Sequence, residues 1–295
     1  SAPNYETPAD VGANNVYDVV VRASDGTNAV TQAVAITVSN VNEAPAITSN
    51  GGGPTAALTV AENGTAVTTV TATDPDAATT LTYSIVGGAD AGRFSIGPSN
   101  GVLTFQAAPN YESPTDVGGD NVYDVQVQVS DGTLTAVQTL AVTVSNLNEA
   151  PTITSGTTAS VQENTSSVMT VTATDPDAAT TLTYTIAGGA DQALFQIDPN
   201  SGALSFVSAP NYETPADAGA NNVYDVVVRT SDGTNAVTQA VAVTVSNVNE
   251  APAITSNGGG PTAALTVAEN GTAVTTVTAT DPDAATTLTY SIVGG

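Results

Sequence analysis

The chain has 295 residues and sets 28 acidic side chains against three basic ones, Arg22, Arg93 and Arg229, for a formal net charge of −25. A field of that sign repels nucleic acid and anionic membranes and attracts cations. Without cysteine there is neither a disulfide framework nor thiol chemistry, and no apolar run approaches the roughly 18–20 residues of a membrane-spanning helix.

Hydrophobic residues make up 41% of the chain, mostly Val, Ala, Leu and Ile, and Thr is abundant, which favours strands. Internal repetition then organises the sequence. "PNYE" recurs at 3–6, 109–112 and 210–213, "NEAP" at 42–45, 148–151 and 249–252, and "TATDPDAATTLTY" at 71–83, 172–184 and 278–290. Residues 1–88 match 208–295 except at positions 11, 23 and 36, which points to recent duplication in a long array. Taking "NEAP" as the end of each module, complete repeats fall at about 46–151 and 152–252. They are flanked by the back half of a repeat (1–45) and the front half of another (253–295). The chain opens in mid-pattern and reads as a piece of something longer. Half a sandwich buries too little apolar surface, so both ends are expected to be less stable than the middle.

Along the first complete repeat the elements alternate with period two. "LTV" precedes Glu62, "VTTVTAT" ends at Asp74 and Asp76, and "LTYSI" (81–85) turns Leu81, Tyr83 and Ile85 inward. "RFSI" adds Phe94 and Ile96, and "LTF" (103–105) adds Leu103 and Phe105. In "VYDVQVQVS" (122–130) Tyr123, Val125, Val127 and Val129 share a face, as do Leu140, Val142 and Val144 in "LAVTV" (140–144). About seven short strands, split by Gly, Pro, Asn and Asp clusters, predict an all-β chain of seven-stranded Greek-key β-sandwiches placed end to end.

Strand direction sorts the acids to the two ends of each sandwich. Glu62, Glu112 and the segment Asn146, Asn148, Glu149 fall at the exit end; Asp74, Asp76 and Asp131 fall at the entry end. The middle junction would therefore unite Glu62, Glu112, Asn146, Asn148, Glu149, Asp175, Asp177 and Asp232. Two carboxylates ~4 Å apart repel by about 4 kcal/mol at an effective dielectric near 20. Six of them must splay, protonate or take up cations. With only oxygen ligands on offer, a hard cation is selected, and scattered loop oxygens suit Ca²⁺ better than octahedral Mg²⁺. Singly, each motif also has a plainer reading. "DPD" and "SDG" make turns, "NEAP" makes a linker, and Asp116, Asp120 and Asp198 read as solvated loop residues.

The ordered set AEN, TDPDA, F-x-I with G-x-L-T-F, PNYE, VSDG and V-x-N-x-NEAP resembles the cadherin repeat, most closely the cadherin-like repeats of large bacterial surface adhesins. By that resemblance Glu62 corresponds to the Glu of the family's first motif and Glu112 to the Glu of LDRE. Asn146, Asn148 and Glu149 correspond to the DxNDN linker, Asp175 and Asp177 to DxD, and Asp232 to the later Asp. The first junction then comprises Glu6, Asn40, Asn42, Glu43, Asp74, Asp76 and Asp131, and the last Glu163, Glu213, Asn247, Asn249, Glu250, Asp281 and Asp283. The family binds up to three Ca²⁺ between successive repeats, which stiffens the array. Here Asn110 replaces the LDRE Asp, Asn146 replaces the first linker Asp, and the linker is one residue shorter. Two firm ions and one weak one per complete junction are expected.

The resemblance implies an extracellular, calcium-stiffened spacer whose partners are neighbouring repeats of the same chain, with no nucleic acid and no membrane insertion. Direct adhesion is the alternative. Sugar platforms use exposed aromatics, yet Trp is absent and only Tyr111 and Tyr212 are candidates. Homophilic pairing would need exchangeable end strands. Segments 253–295 and 1–45 of successive molecules also suggest completion into a filament, although together they lack the span matching 89–107. An enzyme is not expected: paired carboxylates suit a glycosidase, but no cleft-forming insertion or aromatic subsite surrounds them, and His is absent.

Overall fold

The computed structural model describes residues 2–283 and 286–295. It divides into two units, residues 1–147 and 148–295. In the first, a hairpin of β1 (Val16–Ser24) and β2 (Ala29–Thr37) precedes a complete sandwich. The sandwich is built from β3 (Ala46–Ile47), β4 (Thr55–Ala61), β5 (Ala66–Thr69), β6 (Ala72–Thr73), β7 (Thr82–Gly87), β8 (Phe94–Ile96), β9 (Val102–Phe105), β10 (Val122–Ser130) and β11 (Thr135–Ser145). One sheet has the order β4-β11-β10-β7 and the other β5-β9-β8, with β3 paired to β6. β4 runs parallel to β11, whereas β10 is antiparallel to both of its neighbours.

Inward residues of the two sheets meet in one core. Phe94, Leu103 and Phe105 come from the three-stranded sheet; Tyr123, Val125, Val127, Val129, Leu140, Val142 and Val144 come from the other. Phe94 stacks on Phe105 with ring centroids 4.6 Å apart, and Tyr123 meets Phe105 edge-on at 5.1 Å. Each such ring contributes about 1.5–3 kcal/mol by leaving water. The period-two reading of 122–130 coincides with β10, whose odd positions are all buried. The run 67–73 differs from expectation. It is one strand by pattern, but it breaks at Val70 and Thr71, because the Gly101 N–H turns to the Gly97 carbonyl (2.9 Å) rather than back to Val70, and Ala72–Thr73 pair with β3.

The second unit repeats this plan with β12 (Thr152–Ile153), β13 (Thr158–Gln162), β14 (Ser167–Thr170), β15 (Ala173–Thr174), β16 (Thr183–Gly188), β17 (Phe195–Ile197), β18 (Ala203–Phe206), β19 (Val223–Ser231) and β20 (Ala236–Ser246). Its sheets are β13-β20-β19-β16 and β14-β18-β17. The end segments differ from the middle. β1 and β2 pair only with each other and leave Val19, Val20, Val21 and Val30 exposed. Beyond residue 252, only β21 (Ala253–Ile254) and β22 (Ala279–Thr280) pair among the described residues.

Candidate metal centre

Each sandwich positions its acids through backbone hydrogen bonds rather than through basic side chains. Glu163 follows β13 and is 2% exposed. Its N–H donates to the Ser246 carbonyl (3.0 Å), which anchors it at the end of the β13–β20 pair. Its carboxylate accepts from Val248 N–H at 2.8 Å and from Tyr212 N–H at 2.9 Å. Glu163 thereby ties the linker and the "PNYE" turn to one point. Glu62 does the same in the first unit, accepting from Leu147 N–H (2.9 Å) and Tyr111 N–H (2.8 Å).

Around these anchors the acids gather. In the second unit Glu163, Glu213 and Glu250 each turn a carboxylate oxygen to within 4.8 Å of the others. Glu250 N–H donates to Asp283 Oδ2 (2.8 Å), the Asn247 amide to Asp283 Oδ1 (2.8 Å), and Asp283 N–H to Asp281 Oδ1 (3.0 Å). In the first unit Glu6, Glu43 and Asp76 form a group of the same size. Glu43 N–H donates to Asp76 Oδ2 (2.9 Å), and the Asn40 amide to Asp76 Oδ1 (2.6 Å). The Asn42 amide reaches Asp131 Oδ2 (2.7 Å), and Asp76 N–H bonds Asp74 Oδ1 (2.9 Å).

The expected middle set is divided between the units. Glu62, Glu112 and Asn146 lie in the first. In the second, the Asn148 amide donates to Asp232 Oδ2 (2.9 Å), Glu149 N–H to Asp177 Oδ2 (2.9 Å), and Asp177 N–H to Asp175 Oδ1 (3.0 Å). The Asn249 amide donates to the Glu250 carbonyl (3.1 Å), as the Asn42 and Asn148 amides do to the carbonyls of Glu43 (3.2 Å) and Glu149 (3.0 Å).

Several oxygens in these groups are buried without any hydrogen-bond donor. They include both carboxylate oxygens of Glu6, Oε2 of Glu43, Glu112, Glu213 and Glu250, and Oδ2 of Asp74 and Asp175. Buried acceptors ordinarily find partners, and the chain has no lysine or histidine to supply them. An all-oxygen set of this kind fits a hard divalent cation.

The charge balance points the same way. Burial, then repulsion from Glu6, Asp76 and Asp74, raises Glu43 above the ordinary glutamate range. Burial raises Glu213 too, reinforced by Glu163, Glu250 and Asp283. Such a group binds its proton more readily when folded, so its contribution to stability is present at low pH and lost as pH rises through its raised value. A cation would remove that cost. Asp131 is instead lowered, first by the Asn42 amide and then by Thr133 N–H. Asp232 is also lowered: burial opposes the shift, but the Asn148 amide and the N–H groups of Thr234 and Asn235 outweigh it.

Some of the pattern was not legible in the sequence. Asn235 donates from its amide to the Asn148 carbonyl (3.0 Å), and only its place after "SDGT" hints at that contact. Asp116, read as a solvated loop residue, is 7% exposed, because it accepts from Asp120 N–H and Asn121 N–H inside its own loop. Asp120 and Asp198 are exposed as expected. Arg93 is exposed, at the end of a 3₁₀ turn (Ala91–Arg93).

The sequence profile of the cadherin domain matches residues 57–145 and 157–248, the two sandwiches described above. The chain belongs to the cadherin domain family. Among solved structures, it is similar to the cis-dimer of protocadherin gammaB7 EC3-6, with a TM-score of 0.50 and 22% identity over 78% of this chain and 60% of that one. It is also similar to protocadherin Gamma B2 domains 1–5, with a TM-score of 0.50 and 21% identity over 94% of this chain and 54% of that one. The chain thus spans 60% or less of the length of both. At these identities the likeness concerns the fold: tandem cadherin β-sandwiches. No helix among the described residues is long and apolar enough to cross a membrane.

Proposed function

We propose that these cadherin repeats form a calcium-stiffened extracellular spacer in a large, repetitive surface adhesin of bacterial type. The repeats run at about 46–151 and 152–252, flanked by the segments 1–45 and 253–295. Calcium sits where one repeat hands over to the next, two to three ions per complete junction. The ligands are the exit glutamates and linker residues of one repeat with the entry aspartates of the following one. For the middle junction these are Glu62, Glu112, Asn146, Asn148, Glu149, Asp175, Asp177 and Asp232. The observation that carries this reading is the meeting of Glu163, Glu213 and Glu250, with buried Oε2 atoms of Glu213 and Glu250 left without a donor. The near-identity of residues 1–88 and 208–295 supports a repetitive parent.

The chemistry a bound cation supplies is neutralisation of mutual repulsion. The protein's own residues do the rest: Glu163 fixes the linker, and Asp283 holds Glu250 N–H. Extracellular modules of this kind bind at ~10⁻⁴–10⁻³ M, so the ions would be held outside cells and released in a cytosol. Hydrogen exchange of the full chain tests this reading. Linker amides at 40–45 and 247–252 are expected to exchange more slowly, by about tenfold or more, in roughly 10 mM calcium than in chelator. Equal rates would contradict it.

A further inference from the structure

Each sandwich also buries two aspartates that belong to none of the carboxylate groups above. In the second unit they are Asp191 and Asp217, each 5% exposed. Asp191 Oδ1 accepts from Ala218 N–H at 2.7 Å and Oδ2 from Asp225 N–H at 2.7 Å, while its own N–H donates to the Asp225 carbonyl (3.0 Å). Asp217 accepts from Asn221 N–H (2.9 Å) and Asn222 N–H (3.1 Å). The Asn222 amide then reaches the Tyr212 carbonyl (2.9 Å), next to Glu213. The Tyr224 hydroxyl, at the end of a ring 1% exposed, accepts from Ala216 N–H (3.2 Å). The loop between "PNYE" and β19 is therefore fastened to the core strand at several places, and Glu213 sits at its far end.

The first sandwich repeats this arrangement. Asp90 accepts from Val117 N–H (2.8 Å) and Asp124 N–H (2.9 Å), the Asn121 amide reaches the Tyr111 carbonyl (2.9 Å), and the Tyr123 hydroxyl accepts from Thr115 N–H (3.1 Å). Recurrence of the same bonds at non-identical residues (Val117 against Ala218, Thr115 against Ala216) makes the fastening a property of the design rather than of one loop.

We propose that Asp191 and Asp90 are positioning residues of the cation sites. Each bolts the glutamate-bearing loop to the sandwich, so that Glu213 or Glu112 meets a divalent ion already in place. The inference rests on the calcium reading above and adds to it where the affinity comes from. A loop that had to order on binding would spend conformational entropy at that moment; here folding has already done so. Residues that orient ligands in this way typically alter metal affinity by about 10–100-fold when removed.

Two variants of the full chain test it. Asp191→Asn keeps one acceptor oxygen but turns an amide N–H toward a backbone N–H donor. Tyr224→Phe keeps the ring and the net charge and removes only the hydroxyl. Both are measured by calcium titration and by hydrogen exchange of residues 213–222 in chelator. Faster exchange of this loop is expected in both, with calcium binding at the Glu163–Glu213–Glu250 group weakened roughly tenfold in Asp191→Asn and by less in Tyr224→Phe. Binding at the Glu6–Glu43–Asp76 group is expected to stay unchanged. A loop that loosens while calcium affinity holds would overturn the proposal and leave the calcium reading standing. So would a loop that stays protected in both variants. A wild-type chain that binds no calcium would overturn both.

Discussion

Replacing Glu163 by Gln is expected to weaken calcium binding at the second unit's carboxylate group by roughly 10–100-fold, a range characteristic of residues that hold a metal site together. Glu163 has three tasks at one position. It contributes an oxygen to the group, and its two oxygens hold Val248 N–H and Tyr212 N–H. Glutamine can satisfy only one of those donors and turns an amide N–H toward the other. With the residue 2% exposed, the unpaired group also costs about 1–3 kcal/mol of folding stability. The full-chain calcium titration should lose its C-terminal component while the Glu6–Glu43–Asp76 component persists. An unchanged titration would show that Glu163 only caps backbone.

Gly189→Ala should destabilise the second sandwich by about 3 kcal/mol or more, a loss reserved for a few mechanisms of which forced backbone movement is one. Gly189 has φ +106°, and an added Cβ would lie 2.4 Å from the Asp225 carbonyl oxygen and 2.5 Å from Val226 Cα. Neither atom can swing aside, because both belong to β19, which pairs on both sides. For a repeat of this size the melting temperature should fall by more than about 10 °C. Gly233→Ala is the internal comparison. Its φ is similar, +101°, but nothing lies within 4 Å of the added atom. Its cost should stay near the ~1–2 kcal/mol of backbone strain alone. Equal melting temperatures for the two variants would refute the steric account.

The strands were readable where a whole face is buried. β10 alternates strictly, and its register follows from which residues cannot face water. Pairs of two residues, such as β3 with β6, carry too little pattern to be seen. The clearest limit on reading sequence locally is "TAALTVA". Residues 55–61 form β4, paired along their length with β11, yet residues 262–268 have the same letters and form no strand. Strand formation here belongs to the partner, not to the peptide.

The acids show a similar division. Repeated motifs without nearby basic residues marked Glu6, Glu43 and Asp76 and, in the second unit, Glu163, Glu213 and Glu250, two groups whose carboxylates the fold brings together. Asp116 was misread, because its burial depends on a loop closing on its carboxylate, and no periodicity records that. Asp90 and Asp191 were missed for the same reason. The only local trace is a glycine two residues earlier, Gly88 or Gly189, which lets the chain pass close to Asp124 or Asp225.

The most direct test of the account is calcium binding by the intact 295-residue chain at neutral pH, with magnesium titrated in parallel. The account predicts saturable binding of several calcium ions with dissociation constants of about 10⁻⁴–10⁻³ M, and much weaker uptake of magnesium. A chain that takes up no calcium at tens of millimolar, or that binds the two ions alike, would contradict it.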